Sequence, residues 1–230
     1  MTFFRILLIF VVQLVFARSE KNNIEPNELY RLLEASKGWV MNDEIEGYKL
    51  FSKKIEDQDL SAVMVTYETS IPLLGIQEVL MDVENYESFL SSSSKMVTKQ
   101  LKKDDTAVVG YQFIPINFPF MNDRHYCFKL IKNEINVENS KTLVKWFLLD
   151  EDQELLDAQL SNNSNPIYLK YGAGLWLVDS IDKSKVKISY RLFMDPGGSI
   201  PNFLTEKINE NSIINLFKDV IAEAERRTSR

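Results

Sequence analysis

Apolar residues recur along this chain with two different periods. In "PNELYRLLEASKGW", Leu29, Leu32, Leu33 and Trp39 fall near helical spacing. Pro26 or Asn27 can start that helix and Gly38 can end it. "GYKLFSKKIE" and "LSAVMVTYETS" alternate β-branched and aromatic residues on either side of the polar "DQD", the pattern of a hairpin. "IPLLGIQEVLMDVENYESFL" returns to steps of three and four through Ile76, Val79, Leu80, Val83, Tyr86 and Phe89. This predicts one helix, bent or interrupted near Glu84–Asn85. Three further hairpins follow, turning at "KDDT", "NVENS" and "DKSK". The count is eight strands, and their short turns imply antiparallel neighbours. No repeat or low-complexity tract divides the chain, so residues 27–230 read as one domain behind a polar lead-in at 18–26.

The last segment, "MDPGGSIPNFLTEKI", passes from a strand through a double glycine into a helix, with Ser199 as N-cap and Pro201 in the first turn. From Ile200 through Phe203, Leu204, Ile208, Ile213, Ile214, Phe217, Val220, Ile221 and Ala224 the apolar period stays near 3.6, while Glu206, Lys207, Glu210, Lys218, Asp219 and Glu225 take the other side. The helix spans roughly 27 residues, about 40 Å. Such a face must be buried, and the sheet is the partner large enough to bury it. Gly172 and Gly174, inside an apolar strand, mark a bend or a close backbone approach. The predicted fold is α+β: a curved antiparallel sheet wrapped around a long C-terminal helix, with an apolar cavity between them.

Composition changes this picture little. The chain has 230 residues, 45% hydrophobic and 26% charged, with net charge −6. Nucleic acid is excluded as an expected partner, because phosphate binding needs a basic field. The N-terminus matters more. Arg5 precedes an apolar run from Ile6 to Phe16, too short to span a bilayer comfortably, and Val15 and Ala17 suit a cleavage site. Residues 1–17 read as a signal peptide, giving a periplasmic or secreted protein; an uncleaved anchor is the alternative. The single cysteine, Cys127, rules out an internal disulfide and reads as a buried small hydrophobe.

The order of elements resembles the START domain, the lipid-transfer branch of the helix-grip superfamily that also holds polyketide cyclases and plant pathogenesis-related proteins. "IQEVLMDVENYESFL" is similar to the family's helix ending in an aromatic, here Phe89. "PFMNDRHYCFKL" resembles the approach to the central strand with a paired acid and arginine, here Asp123–Arg124. "GAGLWLVDS" resembles the Gly-x-Trp strand, through Gly174 and Trp176. "YRLFMDPGGSIPNFLTEKI" resembles the Asp-Pro-x-Gly-x-Ile-Pro lead into the final helix, through Asp195, Pro196, Gly198, Ile200 and Pro201. The pattern departs at Lys170–Tyr171, where the family often has an arginine. The resemblance implies a monomeric carrier or sensor of a lipid or similar apolar molecule, with transient membrane contact. It implies neither cofactor nor metal. A cyclase- or hydrolase-like enzyme of the same fold, or an interaction domain with a filled core, are the alternatives.

Candidate ligand-contacting residues are Tyr111, Phe113, Arg124, Tyr126, Trp146, Trp176 and Tyr190 on strands, with Phe203, Leu204, Ile208 and Phe217 on the helix. The aromatic side chains bring apolar surface with polar handles. Arg124 either meets a ligand head group or pairs with a carboxylate such as Asp123 or Glu68. If Arg124 points inward, His125 points outward. His125 and Cys127 have no evident orienting acid, and one histidine with one cysteine offers too few soft ligands for a metal. "DEDQELLD" gathers five acids but has Leu155 where a calcium loop needs glycine, so it reads as a solvated loop. Asn162 opens a glycosylation sequon. "FIPINFPFMN" is read as a tucked-in connection or a mouth loop, and Gly197–Gly198 as a hinge or a tight turn.

Overall fold

The computed structural model describes residues 25–91, 96–116, 122–135, 141–151, 165–197 and 202–229, with the backbone alone over 202–212. Its elements are α1 (Pro26–Glu34), β1 (Val40–Ile45), β2 (Tyr48–Lys54), β3 (Ser61–Thr69), α2 (Leu73–Met81), a 3-10 turn (Val83–Asn85), α3 (Tyr86–Phe89) and β4 (Val97–Lys103). Then come β5 (Ala107–Ile114), β6 (Arg124–Lys132), β7 (Thr142–Leu148), β8 (Ile167–Tyr168), β9 (Gly172–Ser180), β10 (Val186–Met194) and α4 (Asn202–Thr228).

The described strands form one sheet in the order β1-β2-β3-β10-β9-β7-β6-β5-β4. These neighbours are antiparallel, and β8 pairs β6 in parallel at its Arg124–His125 end. Ten strands replace the expected eight. "PIYLKYGAGLWLVDSI" divides into β8 and β9, and "VMNDEI" adds β1 at the edge. β1 is exposed along its whole length, so no alternation of burial could mark it in the sequence. The bent helix near Glu84–Asn85 is present as α2, a 3-10 turn and α3.

α4 buries its apolar stripe on the inner face of the sheet. Ile213, Phe217, Val220, Ile221 and Ala224 are buried in one cluster with Val65, Trp176, Ile188 and Tyr190, and with Ile76, Val79 and Leu80 of α2. Polar bonds fasten the same half of the helix. Arg227 reaches Asp82 at 2.7 Å, and Asp219 accepts from the Ser91 amide at 2.7 Å. The outer face is covered in part by α1, whose Leu29, Tyr30 and Leu33 pack on Ala173, Leu175, Leu177 and Phe193. β9 is therefore covered on both sides, which explains its unbroken apolar run.

Candidate ligand chamber

Register decides which side chains face α4. Val144, Trp176, Tyr190, Val65 and Leu50 stand opposite one another across five strands and form one inward row. The next row is Trp146, Gly174, Leu192 and Val63. Gly174 carries Trp146 over its Cα: a Cβ there would lie 2.5 Å from the indole Nε1. This is the close approach that the glycine in an apolar strand predicts.

The middle of the inner face is a packed aromatic cluster. Trp176 stacks on Tyr190 at 4.4 Å and on Phe217 at 5.0 Å. The Trp146 indole donates to the Tyr190 hydroxyl at 3.0 Å. Tyr126 donates to Gln112 Oε1, and Gln112 Nε2 donates to Thr98 Oγ1 at 3.0 Å. Burial pushes the Tyr126 and Tyr190 hydroxyls well above the ordinary tyrosine range, so both stay neutral. Gln112 and Thr98 were not among the expected inward residues; Gln112 stands directly opposite Tyr126, so alternation counted from Tyr126 marks it.

Towards the end of the sheet where β10 leads into α4, packing thins. Ile114, Leu192 and Met194 project inward yet stay only half-buried. Beside them the inward positions of β9 are Gly172 and Gly174, over which Met194, Leu148 and Trp146 close in. The inner face thus has a solid half, under residues 213–224 of α4, and an apolar half that the described side chains leave incompletely covered.

Arg124 lies at that second end, 4% exposed. Among the described residues no carboxylate receives it. Its Nε donates to Pro196 O at 2.8 Å, Nη2 to Gly197 O at 3.3 Å and Nη1 to Asn122 O. Asp123 turns instead to the Ile116 amide at 2.8 Å. Burial lowers the Arg124 pKa and Asp123 opposes the shift. The guanidinium therefore ties the start of β6 to the turn before α4. Gly197 sits in that turn with φ +62°, and its amide donates to Asp195 Oδ1 at 2.9 Å. Held on both sides, Gly197 takes the left-handed backbone of a tight turn; Gly198 and the predicted cap Ser199 lie outside the described residues.

Tyr126, Trp146, Trp176, Tyr190 and Phe217 come together as one cluster. Tyr111 and Phe113 do not join it. Because Gln112 pairs with Tyr126, Tyr111 pairs with Cys127 and faces outward, and Phe113 packs beside it. The expectation that both line the chamber is corrected by this register. His125 is also outward, as expected, with its ring edge-on to Tyr111 and to Tyr168. Burial lowers its pKa below the usual histidine value, against a weaker opposing pull from Glu151. The side chains of Phe203, Leu204 and Ile208, the tip of "FIPINFPFMN", most of "DEDQELLD", Asn162 and the N-terminal 24 residues lie outside the described residues.

No sequence-family model matches the chain, and no curated protein matches it. Solved structures do. A STAR-related lipid transfer protein fragment from Xanthomonas axonopodis superimposes with TM-score 0.66 at 18% identity, covering 82% of this chain and 99% of that one. Human STARD10 gives TM-score 0.66 at 15% identity, over 89% and 80% of the two chains. Human StAR-related lipid transfer protein 5 gives 0.66 at 8% identity, over 88% and 93%. The chain has the helix-grip fold of START domains.

Proposed function

We propose that the protein holds one lipid-like molecule between the inner face of the sheet and the N-terminal part of α4, as a monomeric carrier or sensor. The observation that carries this reading is the half-buried inward trio Ile114, Leu192 and Met194. Apolar side chains turned towards the interior but left unsealed favour an apolar occupant. The shared fold supports the same reading, since the similar solved structures are named as lipid-transfer proteins. The aromatic cluster forms the back wall and α4 the cover. Binding is favoured over catalysis, because Arg124 is engaged by carbonyls and the Tyr126 and Tyr190 hydroxyls already have partners. Export follows from the apolar leader ahead of Ala17, and loading involves brief contact with a membrane.

Native mass spectrometry of protein purified from its own compartment, followed by titration of delipidated protein with a fluorescent fatty acid or sterol, tests the proposal. One-to-one saturable binding is expected. Leu192→Trp should weaken it about tenfold by filling the space, the scale of one or two buried methylenes, with a melting temperature near that of the parent. Absence of saturable binding, or unchanged affinity in a folded Leu192→Trp protein, overturns it.

A further inference from the structure

A groove of about 660 Å³ lies on the opposite, outer face of the sheet, beyond the C-terminal end of α1. Its floor is two cross-strand rows. Lys49, Thr66 and Ser189 form one, and Phe51, Met64 and Arg191 form the other. Trp39 closes one end.

Four buried side-chain polar atoms among the described residues lack a hydrogen-bond partner. Two of them, Ser189 Oγ and Arg191 Nε, belong to successive outward positions of β10 and line this one groove. Ser189 is 0% exposed and Arg191 9%. Buried polar groups are ordinarily paired, so two orphans in one depression point to a partner that binds there. Arg191 is held from the other side. Its Nη1 donates to the Leu33 and Glu34 carbonyls at 2.8 and 2.9 Å, capping α1, and its guanidinium lies over the Trp39 ring at 5.7 Å. Among the described residues its hydrogen bonds go to carbonyls, not to carboxylates.

The other charges around the groove offset one another. Glu44 stands opposite Lys49, and Glu68 opposite Lys187. Asp179 is paired with Lys141 at 2.8 Å and Lys187 at 3.3 Å. The Asp179 and Glu34 carboxylates also act on Arg191 from a distance, yet neither reaches its Nε, which keeps no hydrogen-bond partner. The Glu44, Glu68 and Asp179 carboxylates around the groove repel a dianion about twice as strongly as a monoanion. We propose that this groove binds a small aromatic or apolar monocarboxylate, whose carboxylate accepts from Arg191 Nε and Ser189 Oγ and whose body rests on Phe51 and Met64. The site is separated from the lipid chamber by the sheet itself and does not depend on it.

The test is calorimetric titration of the full chain with sodium benzoate, alongside neutral benzamide and inorganic phosphate, with amide shifts followed by two-dimensional NMR. Benzoate is expected to bind one-to-one and to shift the amides of Thr66, Ser189 and Arg191. Benzamide should bind at least about tenfold more weakly, since a hydrogen bond to a charged group is worth that factor or more. Ser189→Ala should weaken benzoate by about tenfold without lowering the melting temperature, because it removes an unmatched hydroxyl. Equal affinity for benzamide or phosphate, shifts confined to inner-face residues such as Leu192, or wild-type affinity in Ser189→Ala overturns the proposal. Failure of benzoate to saturate also overturns it. None of these outcomes bears on the fatty-acid or sterol titration, so the two readings fail separately.

Discussion

Removing the Arg124 guanidinium should loosen the lead into α4 before it changes what the chamber prefers. Arg124→Met keeps most of the apolar volume but abandons the carbonyls of Asn122, Pro196 and Gly197. A hydrogen bond from a charged donor is worth about 1.5–3 kcal/mol, and the 3.3 Å contact to Gly197 is too long to count in full. Two full-strength bonds and one weak one give a loss of about 3–5 kcal/mol, in the range for breaking a buried charged partnership. For a chain of this size that corresponds to a melting temperature lower by about 10 °C. Urea denaturation with an unchanged slope measures it, and faster amide exchange at Gly197 locates it. Arg124→Lys should rescue little, because a single ammonium cannot fork between carbonyls on two segments. Stability within about 0.5 kcal/mol of the parent, together with a tenfold change in lipid affinity, would refute the reasoning and assign the guanidinium to the ligand.

Two further outcomes follow from particular contacts. Gly174→Ala puts a methyl 2.5 Å from the Trp146 indole and displaces it from Tyr190; overpacking should cost about 1–3 kcal/mol, read by urea denaturation and largely relieved by Trp146→Leu in the same chain. Glu223 accepts hydrogen bonds from Arg226 and then Arg227, which lower its pKa from the ordinary 4.5 to about 2. A depressed carboxylate contributes stability above the higher value and loses it as pH falls through the lower one, so Glu223→Gln should flatten the acid-unfolding profile between pH 4.5 and about 2.

A feature is legible in the sequence when the residues that determine it stand close together along the chain. Periodicity is a local property, so α1, the interrupted α2–α3 helix, the hairpins and the long α4 were legible from spacing alone. The opposite facing of Arg124 and His125 follows from strand pleating, and the crowding at Gly174 from a glycine among large apolar residues.

Other features needed the fold. β1 has neither a buried face nor an alternating pattern, so only pairing with β2 makes it a strand. Tyr111 and Phe113 alternate as regularly as Tyr126, and only the β5–β6 register turns them outward. Arg124 finds Pro196 72 positions along the chain, and Arg191 reaches Leu33 across 158. The outer groove is lined by Arg191, the residue that also caps α1 from far along the sequence. Side-chain alternation and helical period are set by neighbours along the backbone. Register, carbonyl partners and the two faces of a sheet are set by which distant segments bury one another, and that is decided only when the whole core forms.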